Sequence, residues 1–362
     1  MITRSAVLFV LAAGLCQGGA ASGLDLAAIE QFVKAEMQKA GIPGAAIGVI
    51  QGDRLIFSRA FGVASADTQA PADPSMLFRL GSTTKMLTAT AVLTLAVKGK
   101  VDLNVPISKY IKGLHPGIGR LTLHQLLSHT AGLKDQAVMN GPHDDSALGA
   151  GIRQWNADRF FTEPGAVFSY ANPGYWLAGY LVETVTGKPY ADAMVQQVFQ
   201  PLGMRRSTIR PLMAMTWPLA QGHENGRVLR PAPDNSSNWP AGSAYSSIAE
   251  MSRFVIALMN GGRLEGKQAL PAQLVALLLA PHVKAADPGS SYGYGLYFSE
   301  RRGVRWVEHD GLRAGYGSLV RMAPEHRTAV IVMTNASSKL LPESTDKILE
   351  MLLPLAPPAS SR

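Results

Sequence analysis

A serine and a lysine separated by two residues are the first candidates for catalysis in this chain. Ser82 and Lys85 directly precede the apolar run 86–97. Residues three apart share one face of a helix, so the hydroxyl and the amine can meet there. A serine hydroxyl needs a base within hydrogen-bonding reach, and burial can lower the pKa of a lysine enough for its amine to serve. The spacing therefore predicts a nucleophile and its base.

The residues that follow are expected to form a buried helix beginning at Ser82. Apolar side chains occupy every side of a 3.6-residue wheel over 86–97, which is typical of a helix enclosed by protein. Lys98 and Gly99 supply a cationic last turn and a terminating glycine. The free N–H groups at the helix start add positive potential, which favours an alkoxide and a neighbouring oxyanion.

Two further short motifs carry groups suited to a reaction at a carbonyl. Tyr170 and Asn172 precede a predicted helix, and a phenol can relay a proton while an amide can bind a substrate carbonyl. The alternative is that Asn172 is only a helix N-cap and Tyr170 a half-buried aromatic. His309 and Gly311 follow a predicted strand. If that strand is at an edge, a substrate backbone can lie alongside it, and the glycine permits close approach.

Other matches compete with these motifs. Ser344 and Lys347 repeat the serine–lysine spacing at the start of an amphipathic helix near the C-terminus. Ser291 lies in a Gly-x-Ser-x-Gly pattern, but the nucleophile elbow of α/β-hydrolases needs a strand before it and a helix after it, and here a loop precedes and a strand follows. His115 begins a second His-x-Gly in a surface loop. We interpret all of these as chance matches.

Composition narrows the class of protein. The chain has 362 residues, 47% hydrophobic and 17% charged, which describes a globular protein of one large or two smaller domains. The net charge of +8 is spread along the chain, and no basic run interleaved with aromatics indicates a nucleic-acid surface. We interpret the charge as favouring solubility and attraction to anionic envelope polymers. No metal-ligand spacing or phosphate-binding loop occurs, so no metal or other cofactor is predicted.

The first 21 residues have the pattern of a secretory signal peptide. Arg4 gives a cationic start, an apolar core covers 6–15, and small residues at 19–21 suit a cleavage site. A buried N-terminal helix is the alternative, since the run is too short to span a bilayer. Cys16 is the only cysteine, and Leu15 before it argues against a lipoprotein anchor. A secreted or periplasmic protein without disulfides or stable membrane insertion is therefore expected.

The order of strand-like and helix-like segments predicts an α+β fold. Strands near both termini with helices between them indicate one mainly antiparallel sheet, flanked by helices, with an inserted helical region. Residues 24–80 and 243–353 are assigned to the sheet domain, 81–242 to the helical domain and 354–362 to a flexible tail. The expected helices are 24–37, 82–97, 123–129, 173–185, 190–199, 247–259 and 271–279. The expected strands are 45–50, 54–61, 292–298, 304–308, 315–322 and 328–334.

Two long segments rich in Gly, Pro, Asn, Asp and His are expected to form loops. These are residues 135–145 and 221–240. Loops of this length in a compact protein often border a binding cleft. We expect them to determine which substrates are accepted.

The three motifs together resemble those of the serine β-lactamase and penicillin-binding-protein superfamily, in particular the class C β-lactamase-like serine hydrolases. Ser82-x-x-Lys85, Tyr170-x-Asn172 and His309-x-Gly311 occur in that family's order. The stretches 126–133, 201–204 and 240–243 are similar as well. The resemblance covers residues 27–353 and implies a β-lactamase/D,D-peptidase-like fold.

The resemblance also implies a role for each motif residue. Ser82 would attack a carbonyl and form an acyl-enzyme, Lys85 would take its proton, and Tyr170 would share the base role and pass the proton to the leaving group. Asn172 would orient the acyl side of the substrate. The backbone N–H groups of Ser82 and Leu312 would form the oxyanion hole.

Two histidines are expected to behave differently from catalytic bases. His129, in the stretch 126–133, is expected to be structural and held by backbone partners. The β-lactamases usually have Lys-Thr-Gly as the third motif, whereas this chain has His309, mostly neutral near pH 7, followed by the anionic Asp310. The histidine form resembles the D,D-peptidases, D-aminopeptidases and carboxylesterases of the family. We hypothesise that Arg313 supplies a cation for a substrate carboxylate.

The sequence thus predicts a secreted serine hydrolase. A carboxylesterase or a D-amino-acid peptidase acting on a small ester, peptide or lactam is the favoured reading. The alternatives are a true β-lactamase and a penicillin-binding sensor that is acylated without turnover. No nucleic-acid partner is expected, and the oligomeric state is left open.

Overall fold

The computed structural model describes residues 24–136, 139–337 and 339–356. The predicted signal peptide, Cys16 and residues 357–362 of the predicted tail lie outside the described residues. The division into a sheet domain and a helical domain stays a prediction.

Strands from both ends of the chain form one antiparallel sheet of eight strands. Its order is β2-β1-β14-β13-β12-β11-β10-β9, so the first hairpin lies beside the last strand. This topology, with helices around it, confirms the predicted fold class. The strands are β1 (Gly44–Gln51), β2 (Arg54–Gly62), β3 (Phe78–Arg79), β4 (His223–Glu224), β5 (Arg227–Val228), β6 (Tyr245–Ser246), β7 (Arg263–Leu264), β8 (Lys267–Gln268), β9 (Val283–Lys284), β10 (Ser291–Tyr292), β11 (Tyr297–Arg301), β12 (Val304–Arg313), β13 (Tyr316–Ala323) and β14 (Thr328–Thr334).

The predicted helices occur in the predicted order with shifts at their ends, whereas four short helices of four to six residues were not predicted. They are α1 (Leu26–Ala40), α2 (Thr84–Val97), α3 (Pro116–Gly119), α4 (Leu123–Leu127), α5 (Ala147–Ile152), α6 (Asn172–Thr186), α7 (Tyr190–Met194), α8 (Pro211–Ala214), α9 (Trp239–Gly242), α10 (Ile248–Met259), α11 (Ala272–Leu278) and α12 (Pro342–Leu352). The described residues include no helix long and apolar enough to cross a membrane.

Alternation along β1 separates two hydrophobic cores. Ile47 and Val49 pack on one face of the sheet with residues of α1 and α12. Ala46 and Ile50 point to the opposite face and join a larger core that includes α2 and α10. Because side chains alternate along a strand, one apolar strand can cover both faces. The sheet is therefore buried on both sides at its centre.

Helix α2 is enclosed by protein, as its all-round apolar pattern predicts. Every residue from Thr84 to Leu95 is buried. The start of the helix differs from the prediction: Gly81–Thr83 form a 3-10 turn, and the α-helix begins at Thr84. Ser82 therefore lies on the short turn that leads into the helix, one turn before Lys85.

Two predicted elements are interrupted. The strand expected over 292–298 is split into β10 and β11. A Cβ added at Gly295, between them, would lie 2.8 Å from the Lys85 carbonyl oxygen, so the chain turns where its backbone contacts α2. The helix expected over 190–199 changes after α7 into a π-helix over Val195–Phe199. The predicted loop 221–240 also contains the hairpin of β4 and β5, a 3-10 turn and the start of α9.

Candidate active site

Ser82 and Lys85 are in direct contact. The Nζ atom of Lys85 lies 3.1 Å from the Oγ atom of Ser82. The same nitrogen donates to Asn172 Oδ1 at 2.7 Å and to the carbonyl oxygen of Ala241, on α9, at 2.8 Å. The Asn172 and Ala241 oxygens accept hydrogen bonds and cannot donate them. When Lys85 is neutral, its two N–H groups satisfy these oxygens, and its lone pair faces the hydroxyl of Ser82.

Burial brings the pKa of Lys85 into the range where an amine can act as a base. The side chain is completely buried, and desolvation of its charged form lowers the pKa from 10.5 to about 7. The negative charges of Asp135 and Asp310 act in the opposite direction and raise it, while the positive charge of Arg313 lowers it further. Near neutral pH, a substantial fraction of Lys85 is therefore unprotonated.

Tyr170 joins this pair from the turn before α6. Its hydroxyl is close enough to Ser82 for an interaction that acts to lower the pKa of the phenol, and the centre of its ring lies 4.7 Å from Lys85 Nζ. Burial raises the pKa of Tyr170 well above 10, so its phenol stays protonated at neutral pH. This arrangement suits Lys85 as the proton acceptor and Tyr170 as a relay that gives one proton while receiving another.

Asn172 is held by an acidic residue that the sequence analysis did not assign to the site. Asp135 accepts from the backbone N–H of Asn172 at 3.0 Å and from its Nδ2 at 3.1 Å. The carboxylate of Asp135 only accepts, so the amide nitrogen of Asn172 faces Asp135 and its oxygen accepts from Lys85. The prediction that Asn172 caps the helix is wrong, because Ala171 is the N-cap and Asn172 is the first residue of α6.

Strand β12 brings the third motif to the nucleophile. It is an internal strand of the sheet, so the expectation of an edge strand is wrong for β12 as a whole. Residues 304–308 pair with β11 and residues 307–313 pair with β13, so 309–313 extend beyond β11 and, among the described strands, pair only with β13. The part that carries the motif therefore has one side free of strand pairing, where an extended substrate can lie.

Gly311 is required by the close approach of two backbones. A Cβ at this position would lie 1.9 Å from the carbonyl oxygen of Leu80 and 2.9 Å from the backbone nitrogen of Thr83. Leu312, which is 45% exposed, follows it, and its nitrogen would lie 2.8 Å from a Cβ placed on Gly81. The Leu312 amide is thus next to the turn that carries Ser82. Its predicted role in an oxyanion hole stays a prediction.

His309 is buried and both of its ring nitrogens have partners. Its Nδ1 donates to the carbonyl oxygen of Asp310, so its Nε2 accepts from the hydroxyl of Tyr292 at 3.3 Å. Burial, and secondarily the charge of Lys85, lowers the pKa of His309 to about 3. The ring is therefore neutral near pH 7, and its hydrogen bond from Tyr292 connects this end of β12 to β10. Its predicted role in substrate binding stays a prediction.

His129 packs against the rings around the site. Its Nδ1 accepts from the backbone N–H of Ala171 at 3.1 Å, while its Nε2 is buried with no hydrogen-bond partner among the described residues. The ring centre lies 4.3 Å from that of Tyr170. Burial lowers the pKa of His129 well below 6.5. The expected backbone partner is thus present at Nδ1, whereas Nε2 has no acceptor among the described residues.

Arg313 places unsatisfied donors beside the site. Its Nε and Nη2 are buried and have no hydrogen-bond partner in the part of the chain that the structure describes. Nearby, the buried Arg79 forms an ion pair with Asp234 and donates to Ser243 Oγ at 2.8 Å. Burial, and then the charge of Arg79, lowers the pKa of Arg313 to about 10, which leaves it cationic at neutral pH. An anionic group of a ligand would satisfy it.

The competing motifs lie in unrelated places. Ser344, on α12, donates its hydroxyl and its backbone N–H to the carboxylate of Glu36. Ser291 begins the two-residue strand β10, and the next element is strand β11 rather than a helix. His115 caps the short helix α3, whereas we expected a surface loop there. No cluster of three potential metal ligands occurs among the described residues.

Comparison with known proteins identifies the family of the chain. A family model described as "Beta-lactamase" matches residues 29–353. The chain is 28% identical over 345 residues to penicillin-binding protein 4 of Amycolatopsis lactamdurans, covering 89% of this chain and 90% of that protein. The motif-based resemblance is thereby confirmed.

Two solved structures have the same fold. The octameric penicillin-binding protein homologue from Pyrococcus abyssi superposes with a TM-score of 0.78 at 23% identity, covering 92% of this chain and 78% of that one. The D-alanine carboxypeptidase AmpC from Burkholderia cenocepacia superposes with a TM-score of 0.75 at 22% identity, covering 90% and 98%. At these identities, the likeness establishes the fold alone.

Proposed function

The chain belongs to the beta-lactamase family, and from this premise we propose that it cleaves an ester or amide bond through an acyl-enzyme on Ser82. The observation that carries the proposal is the environment of Lys85. Its nitrogen contacts Ser82 Oγ and two oxygens that can only accept. Because neither of those oxygens has a proton to give, a neutral amine so placed is positioned to receive the proton of Ser82.

Acylation would begin when the Oγ atom of Ser82 attacks the substrate carbonyl and its proton moves to Lys85. The tetrahedral oxyanion would be stabilised by the backbone N–H groups of Ser82 and Leu312. Tyr170 would then give its phenolic proton to the leaving alcohol or amine and take the proton held by Lys85. The carbonyl–leaving group bond breaks, and an ester to Ser82 remains. Water would release the acid by the same transfers in reverse.

The third motif favours a D-amino-acid peptidase over a β-lactamase, and Arg313 favours a substrate with a free carboxylate over a simple ester. His309 is neutral where the β-lactamases usually have a lysine, so it offers no charge to a lactam carboxylate. Arg313, four residues later, is a cation with two unsatisfied nitrogens. A substrate that ends in a free carboxylate would satisfy them. We therefore place peptides with a C-terminal D-amino acid first and simple carboxylic esters second.

Time-resolved labelling tests the reaction. We expect a fluorophosphonate to label the protein at Ser82 and the Ser82→Ala variant to remain unlabelled, while Ser344→Ala labels normally. With a fluorescent penicillin, rapid loss of the label would identify a β-lactamase and persistent label a non-turnover sensor. Labelling and hydrolysis that continue in Ser82→Ala would refute the proposal.

A pair of matched substrates tests the role of Arg313. D-alanyl peptides with a free C-terminal carboxylate are compared with their C-terminal amides. In Arg313→Ala, KM should rise at least about tenfold for the acids, because a charge-assisted contact is worth roughly 1.5–3 kcal/mol, and should change little for the amides. An unchanged KM for the acids would dismiss this role.

We also propose that the protein is exported, on the basis of the signal-peptide pattern in residues 1–21. N-terminal sequencing of the protein from the cell envelope should then find a chain that begins near residue 22. An N-terminus at Met1 would contradict export by cleavage.

A further inference from the structure

Helix α8 and the residues after it expose a cluster of large apolar side chains. Among the described residues, ten large hydrophobic side chains are exposed, and four of them fall within residues 212–217. They are Leu212 at 78%, Met213 at 50%, Met215 at 68% and Trp217 at 40% exposure. Single exposed apolar residues are ordinary, whereas a group of them marks a surface that binds something apolar. We call residues 211–218 the α8 patch.

The α8 patch is fixed to the body of the protein. Ala214, its one buried residue, packs with Leu77 and Tyr245. The carbonyl oxygen of Pro218 accepts from the N–H of Leu77 at 2.9 Å. Arg210, the residue before the patch, forms ion pairs with two carboxylates. The exposed side chains are therefore presented by an ordered backbone, which loses little conformational entropy when it binds.

The polar groups of the α8 patch are suited to a medium with little water. The backbone N–H groups of residues 213–217 all donate to carbonyl oxygens of the chain, and the flanking Pro211 and Pro218 have no N–H. The hydroxyl of Thr216 donates to the Met213 carbonyl at 2.8 Å. Unsatisfied polar groups are what makes entry into lipid unfavourable. The patch can thus leave water with these donors already paired.

Positive charge lies beside the α8 patch. Residues 201–222 contain three arginines and no acidic residue. Arg205 and Arg206 are exposed and form no ion pair in the part of the chain that the structure describes. The guanidinium carbon of Arg206 lies 5.1 Å from the centre of the Trp217 ring. Tryptophan is enriched at the headgroup level of membranes, and arginines near the surface are attracted to anionic lipids.

We propose that the α8 patch docks on the surface of an anionic phospholipid bilayer. Its aliphatic side chains would enter the boundary between headgroups and acyl chains, Trp217 would lie at the headgroup level, and Arg205 and Arg206 would face lipid phosphates. A soluble polyanion would leave the apolar side chains in water, and an uncharged apolar partner would leave the arginines without counterions, whereas a bilayer satisfies both. Such binding is reversible and lies in the interface. The proposal does not depend on the proposed hydrolase function.

Cosedimentation with vesicles tests the apolar part of the surface. The protein, purified as the cell produces it, should bind vesicles of phosphatidylglycerol and phosphatidylcholine, with a Kd at least about tenfold lower than for phosphatidylcholine alone. In Leu212→Ser/Met215→Ser, the Kd for the mixed vesicles should rise at least about tenfold. Leu26→Ser/Val195→Ser, which removes two exposed apolar side chains elsewhere, should bind like the wild type. Wild-type binding by Leu212→Ser/Met215→Ser, or equal binding to neutral vesicles, overturns the proposal.

A second pair of variants tests the charges. In Arg205→Gln/Arg206→Gln, the Kd for the mixed vesicles should rise by about fivefold for each arginine. Arg54→Gln/Lys100→Gln removes the same charge from exposed positions outside the patch and should have a much smaller effect. Equal effects of the two pairs would show that net charge directs binding, and would overturn the proposal.

Tryptophan fluorescence locates the contact. Trp217 is 40% exposed, whereas the other four tryptophans are at most 7% exposed. Vesicles that contain brominated phospholipid should therefore quench the wild-type protein, and the quenching should be lost in Trp217→Phe at lipid concentrations where this variant still sediments with vesicles. Bound wild-type protein that is not quenched overturns the proposal.

Sedimentation velocity without lipid tests whether a second copy of the chain covers the patch instead. We expect Leu212→Ser/Met215→Ser to have the oligomeric state of the wild type, and circular dichroism to show the same melting temperature because both side chains are exposed. A wild-type oligomer that dissociates in this variant would identify a second copy as the occupant and would overturn the proposal.

Discussion

Lys85 must be unprotonated before it can accept the proton of Ser82, so hydrolysis should increase with pH through neutrality. Burial lowers its pKa from 10.5 to about 7. At pH 7, an amine with the ordinary pKa is neutral in about one molecule in 3,000, whereas one with a pKa near 7 is neutral in about half. We expect kcat/KM to rise about tenfold between pH 6 and pH 8 and to level off above that.

Initial rates of ester hydrolysis at low substrate concentration measure this profile, because kcat/KM reports the protonation of the free enzyme. The Ser82→Ala protein at each pH corrects for spontaneous hydrolysis. Circular dichroism at each pH shows that the protein remains folded. A flat profile between pH 6 and pH 8, or an inflection above pH 9, would refute the assignment of Lys85 as the base.

Two charge changes near Lys85 should move the inflection in opposite directions. Asp135 raises the pKa of Lys85 and Arg313 lowers it. Asp135→Asn keeps a hydrogen-bond acceptor for Asn172 but removes the negative charge, so the inflection should move to lower pH. Arg313→Gln removes a positive charge and should move it to higher pH. Shifts of the same sign in the two variants would contradict the electrostatic argument.

Three further predictions concern stability and the neighbouring elements. Gly311→Ala should lower the melting temperature and kcat together, because its Cβ would clash with the backbones of Leu80 and Thr83. Gly151→Ala is the control, since the nearest atom to its Cβ would lie at 3.6 Å. An unchanged melting temperature and kcat in Gly311→Ala would contradict this close contact. The free energy of unfolding should fall by about 1.4 kcal/mol per pH unit for each of His129 and His309 as the pH decreases below 6.5, because these rings are protonated in the unfolded chain but stay neutral when buried. For His309 this loss ends near pH 3. Denaturant unfolding at pH 7 and pH 5 measures the loss, and an equal loss in the His309→Gln protein would contradict the contribution of His309. Ser344→Ala should leave hydrolysis unchanged and lower the free energy of unfolding, measured by chemical denaturation, by about 1–3 kcal/mol, because buried Glu36 loses a hydrogen-bond donor. Loss of hydrolysis in this variant would indicate that the second serine–lysine motif is catalytic.

The residues with local sequence signals were the ones that could be predicted. The enclosed helix after Ser82 follows from an all-round apolar pattern, and the strands near both termini follow from β-prone runs, so both appear in the structure. The boundaries shifted where a distant contact decides them. The break between β10 and β11 lies where the backbone at Gly295 contacts the Lys85 carbonyl. The residues around 295 contain no local signal that predicts this contact.

The supporting residues of the site could not be found in this way. Asp135 is separated from Asn172 by more than thirty residues, and Tyr292 meets His309 across the sheet. Each looks like an ordinary loop aspartate or strand tyrosine, because its partner is chosen by the tertiary fold. The positive potential at the N-terminus of α6 favours a nearby carboxylate but does not specify which distant one, so it could not have identified Asp135.

The two serine–lysine pairs show why the fold, and not the spacing, makes a base. Lys347 is exposed and lies over the ring of Phe32, and the hydroxyl of Ser344 is donated to Glu36, so neither group is available to the other. Lys85 is completely buried, and the shift of its pKa from 10.5 to about 7 corresponds to about 5 kcal/mol that the fold must provide to keep its amine there.

That energy can come only from the surrounding structure. Helix α2 is buried from Thr84 to Leu95, and the site is closed by α6, α9 and β12 around it. The closure excludes the water that would otherwise stabilise the ammonium form. It also brings two oxygens that orient the amine. A lysine on a surface helix has neither, so a matching spacing there cannot activate its serine.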